Sequence, residues 1–81
     1  MSLDVNAIAV IRALDEVTGR SASYTEIRST FQFYGGKRRA LAETLERVVA
    51  QFPECVEWDM RIGHGNQLEV WVRVKSAIGP I

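Results

Sequence analysis

The chain is poor in the residues that usually carry chemistry. It has one cysteine and one histidine among 81 residues. A lone Cys55 cannot close an internal disulfide, which points to a reduced, cytoplasmic protein with a half-buried thiol. Zinc ligation by cysteine and histidine needs more of both. Cys55 and His64 fall near opposite ends of one strand-like run, so no Cys/His catalytic pair is expected. There is no P-loop and no G-x-S-x-G or G-x-G-x-x-G; Gly63-His64-Gly65 is a fragment with no helix after it. The carboxylates are interleaved with cations and do not cluster. No catalytic centre, metal site or cofactor is therefore expected, and an enzyme is not the expected class. No apolar run approaches the ~20 residues of a membrane span. The first residues lack a basic segment followed by an apolar one, so no secretory leader is expected. Formal net charge is also missing, with ten cations against ten anions, which argues against a bulk polycation.

What is present is hydrophobic residue, 47% of the chain. That is a globular composition, and the length suits one domain with one small core, here expected over 3–75 with a tail over 76–81. So small a domain is marginally stable alone, which makes a homodimer or docking on a partner a realistic expectation. The charges are unevenly distributed. Residues 1–18 and 53–81 are slightly acidic. Residues 19–52 are basic, with Arg20, Arg28, Lys37, Arg38, Arg39 and Arg47 against Glu26, Glu43 and Glu46.

Three helices are expected. Leu3, Ala7, Val10, Leu14 and Val17 form a helical stripe with Ile11 beside it, and Gly19 supplies a stop. Val5 and Ile8 lie off that stripe, so this helix offers a second apolar side, either to the C-terminal segment or to another subunit. GRSAS reads as a polar loop. Ser23-Tyr24-Thr25-Glu26 then matches the S-x-x-E capping box and starts a short helix that turns Tyr24, Ile27 and Phe31 inward. Gly35 and Gly36 interrupt it. The third helix, over 37–52, has the clearest stripe: Leu41, Leu45, Val48, Val49 and Phe52 on one face. Gly36 is its expected cap, and Arg39–Glu43 and Glu43–Arg47 are expected surface pairs. Pro53 closes it.

The period then changes to two. Val56, Trp58, Met60 and Ile62 alternate with polar residues, as do Leu68, Val70, Val72 and Val74. Folding about Gly65 pairs Ile62 with Leu68, Met60 with Val70, Trp58 with Val72 and Val56 with Val74. All eight then face one side, expected to be the core side. On the other side Arg61 opposes Glu69 and Glu57 opposes Arg73. The expected fold class is α+β: three helices followed by a two-stranded antiparallel hairpin.

This order of elements, together with the stretch YTEIRSTF…GGKRRALAETLERVV, resembles the winged helix-turn-helix family of DNA-binding domains. The resemblance implies a recognition helix over 37–52, a wing tip at 63–67 and double-stranded DNA as partner, with a role in transcription regulation or as an accessory DNA-binding factor. The residues support the same expectation independently. A helix N-terminus carries unsatisfied N–H groups and the positive end of the dipole, and Lys37, Arg38 and Arg39 add cations there. Arg28 extends that patch. His64 and Asn66, in the hairpin loop, offer polar groups to phosphate or a minor groove.

A second class stays open, a protein-interaction module. Zero net charge, Glu43 and Glu46 on the third helix, the apolar Val5 and Ile8 of the first, and Trp71 on the outer hairpin face all point that way. Trp71 can stack on a base, but it can equally pack under the tail or against a partner.

Overall fold

The structure, a computed structural model, describes residues 3–79. Asp4 caps the first helix, α1 (Val5–Asp15), by accepting from the Ala7 amide at 2.8 Å. Gly19 sits in the left-handed region (φ 88°) and turns the chain away. The segment after Gly19 is not a plain loop. Ser21–Ser23 form a short strand, β1, whose Ala22 is fully buried. Helix α2 (Tyr24–Phe33) starts on the expected Ser23 cap, with the Glu26 amide donating to its Oγ. The Glu26 carboxylate does not reach back to close the box. It pairs with Arg20 at 2.5 Å.

Helix α3 spans Leu41–Gln51, starting later than the expected 37–52. Lys37 is extended and Arg38–Ala40 form a single 3₁₀ turn before α3. Gly36 therefore does not cap α3, and Ala40, which precedes it, makes no side-chain cap. Strands β2 (Val56–Ile62) and β3 (Leu68–Val74) form the hairpin in the expected register throughout. β1 adds to β3, giving an antiparallel sheet ordered β1-β3-β2. The class is α+β, with three strands where two were expected. β1 was hidden because three residues of small, polar composition carry no period, and its pairing partner lies about fifty residues away.

The core packs α1, α2 and α3 together and onto the root of the sheet, around Phe31, Ile11, Leu14, Ile27, Leu41, Leu45 and Val48. Val56, Val72 and Val74 close it from the sheet side. The rest of the same hairpin face does not join them. Exposure climbs from 37% at Val70 and 42% at Trp58 to 49% at Met60, 63% at Leu68 and 67% at Ile62. The expectation that Trp58 and its neighbours are core is thus corrected. Period two fixes the face of each residue, but the hairpin extends further than the helices beneath it.

The tail is also held. Asp15 accepts from the amides of Ile78 and Gly79 at 2.7 and 3.0 Å, and Ile78 packs on the core. Among the described residues, no helix is long and apolar enough to cross a membrane.

Candidate nucleic-acid interface

The path from α2 to α3 is set by a close approach. Gly35 takes φ 84°, and Gly36 then passes directly over the buried ring of Phe31, where a Cβ would overlap the ring. The Lys37 amide lies 3.3 Å from Asn6 Oδ1 of α1, and the Ala40 amide closes the 3₁₀ turn on the Lys37 carbonyl at 2.9 Å. Leu41, fully buried, anchors the far end. Lys37, Arg38 and Arg39 are all exposed on this turn. The expected geometry is corrected accordingly: these cations stand on a pinned turn ahead of α3 and not in its first turn.

Arg28, from α2, joins them. Tyr24, Arg28, Lys37, Arg38, Arg39 and Ala42 line one open cleft of about 820 Å³. Tyr24, expected to point inward, is half-buried and also forms part of the cleft wall. The only hint in the sequence was its position at the start of α2, one turn before Arg28.

Charge pairing separates these four cations from the rest. Arg20 pairs with Glu26, Arg47 with Asp4, Arg61 with Asp59, and Arg73 and Lys75 both with Glu57. Arg12 lies over the Tyr34 ring. Among the described residues, Arg12, Arg28, Lys37, Arg38 and Arg39 have no carboxylate within 4.0 Å; Arg12 is taken up by the Tyr34 ring, and the other four share the cleft. Arg47 reaches Asp4 at 3.3 Å, so the expected Glu43–Arg47 pair is replaced by a tie between α3 and the α1 cap. Arg39–Glu43 is not formed either.

The other candidate residues sit elsewhere. His64 and Asn66 are exposed in a 3₁₀ turn at the hairpin tip, where Gly65 and Asn66 both have positive φ. They do not line the cleft. Val5 is exposed at the start of α1, and Ile8 is half-buried beside Tyr34. Trp71 lies on the outer hairpin face as expected and is half-buried there. The Arg61 guanidinium stacks 4.1 Å from its ring centroid, and its Nε1–H donates to Glu69.

The titration of the surrounding carboxylates reflects these contacts. The Ala7 amide, with help from Arg47, holds Asp4 below the ordinary aspartate range. Arg20 lowers Glu26, and Arg61 together with the Ser21 hydroxyl lowers Asp59. Among the described residues, no three histidine, cysteine or acidic side chains converge to hold a metal ion.

No protein-family model, curated protein or solved structure matches the chain.

Proposed function

We propose that this chain is a small module that binds double-stranded DNA in the manner of winged helix-turn-helix domains, acting in transcription regulation or as an accessory DNA-binding factor. The observation that carries the reading is the sorting of cations. Among the described residues, six of the ten are engaged with carboxylates or an aromatic ring, and the four that remain converge on one open cleft. Unpaired cations on a pinned turn suit phosphate oxygens, because no internal ion pair has to be broken first. The order helix, strand, helix, helix, hairpin supports the resemblance. Glu43 and Glu46 on the exposed side of α3 limit how deeply that helix can enter a groove, so contact is concentrated at Arg28 and residues 37–39. The exposed His64 and Asn66 at the hairpin tip supply a second, lesser contact.

The test is fluorescence anisotropy with a labelled duplex over a salt series. Neutralising about three to four phosphates predicts a slope of log K against log salt near −3, and Lys37→Ala/Arg38→Ala/Arg39→Ala should bring it towards −1. Absence of binding at low salt, or an unchanged slope in the folded triple variant, would overturn the reading.

A second reading, a protein-docking module, is favoured by one specific observation: the uncovered apolar half of the hairpin, from Trp58 to Val70.

A further inference from the structure

The hairpin presents Trp58, Met60, Ile62, Leu68 and Val70 on one face, all beyond the reach of the core. None is charged, and the polar residues of both strands point to the opposite face. At the foot of this face the sheet and the helices leave an apolar groove of about 340 Å³, lined by Tyr24, Ala42, Leu45, Glu46, Trp58 and Val70. Ile62 and Leu68, the most exposed pair, stand directly opposite one another at the other end. The molecule thus carries an apolar knob at the hairpin tip and an apolar hole at its root, on the same surface.

We infer that this face is an interface between two copies of the chain. Two hairpins stack face to face about a two-fold axis, and the Ile62–Leu68 tip of each lies over the groove between Trp58, Leu45 and Tyr24 of the other. Such a contact is isologous: knob meets hole twice by symmetry. Area favours a second copy. The exposed fractions amount to on the order of 500 Å² per copy, about a tenth of the 5104 Å² total surface. A tenth is the share of a small protein that a standard interface covers. Two copies together bury on the order of 1,000 Å², the lower bound for a specific interface, and the groove rim adds to it. Charge is compatible as well. The five hairpin side chains at the centre of the contact are uncharged, and among the described residues Glu46 is the one charged residue lining the groove, with no second charge of its sign beside it there. Stacked sheets about 10 Å apart would dry these side chains as a core does. The inference is independent of DNA binding, since the cleft cations take no part in it.

Sedimentation equilibrium of the native chain tests it, compared with Ile62→Lys/Leu68→Lys. Both positions are exposed, so the variant should keep the native circular dichroism. The native chain should be dimeric at concentrations of about 10–100 μM, and the variant monomeric, with association weakened at least about a hundredfold. A Trp71→Phe background, in which Trp58 is the sole tryptophan, gives a second readout: its emission should move to the red on dilution through the transition. A native chain that is monomeric at 100 μM overturns the inference and leaves the face to a different protein partner. So does a dimer that the double variant leaves intact, or one that Val5→Asp on α1 dissociates instead. Should the double variant lose its fold, the Trp58 dilution series decides alone.

Discussion

Gly36 and Phe31 are in direct van der Waals contact, backbone against ring face, and no side chain at position 36 fits between them. Phe31 is fully buried at the centre of the core. The contact therefore joins the core to the turn that carries Lys37, Arg38 and Arg39. Gly36→Ala should force the ring from its site and cost about 1–3 kcal/mol, as overpacking does. Gly35→Ala differs in mechanism. Its added methyl meets open space, and its cost of about 1 kcal/mol comes from the left-handed backbone alone. Phe31→Leu removes part of the ring, so Gly36→Ala in that background should cost less than in the native chain. A double-mutant cycle by urea denaturation measures this, and strict additivity would show that the two residues do not press on each other.

Ser23 serves two elements at once. It ends β1 opposite Trp71 and caps α2 through the Glu26 amide at 3.2 Å. Ser23→Ala should lower unfolding free energy by about 1 kcal/mol, while Ser23→Asp should hold most of it. The denaturant slope should not change in either, which would show that the folded and unfolded states are the same as before. The Arg20–Glu26 pair beside it is solvent-exposed, and Arg20→Ala should cost no more than a few tenths of a kcal/mol.

The sorting of cations predicts how single substitutions behave on DNA. Arg28→Ala removes an unpaired charge from the cleft and should lessen the salt slope by about 1. Arg61→Ala removes a charge already bound to Asp59 and stacked on Trp71. Its salt slope should match that of the native chain. Anisotropy titrations at four salt concentrations separate the two, and equal effects from Arg28 and Arg61 would mean that binding reads overall charge rather than the cleft.

Much of this architecture was legible from residue patterns, and the parts that were not share a cause. The hairpin register comes from period two plus opposite charges at Glu57 and Arg73, information carried by the strands themselves. The Ser23 cap and the inward Ile27 and Phe31 are likewise local. What the sequence hid depends on distant residues. β1 exists because Val72 and its neighbours offer an open edge to Ala22. The 3₁₀ turn before α3 exists because Phe31 and Asn6 fix where residues 36 and 37 lie. The uncovered hairpin depends on where the helices end, which no alternation in β2 or β3 encodes. In the candidate site the run Lys37-Arg38-Arg39 was visible at once. Arg28 was legible as an extension of it; that Tyr24 forms part of the same cleft wall, and that the other cations are engaged by carboxylates or a ring, required the fold.

Acid should weaken the chain through its three depressed carboxylates. Asp4, Glu26 and Asp59 are held below their ordinary values by the Ala7 amide with Arg47, by Arg20, and by Arg61 with Ser21 respectively. A depressed folded-state value means that the unfolded chain binds the proton more tightly. The stabilisation is fully present above the unfolded values, about 3.9 for aspartate and 4.3 for glutamate, and disappears as pH falls through the lower folded-state values. The urea midpoint should accordingly stay level between about pH 5 and 7 and fall below about pH 4. Asp4→Asn and Asp59→Asn should each flatten that fall, and Asp4→Asn should also loosen the Arg47 tie between α1 and α3 without touching the cleft. If both variants retain the full acid sensitivity of the native chain, these contacts do not set it.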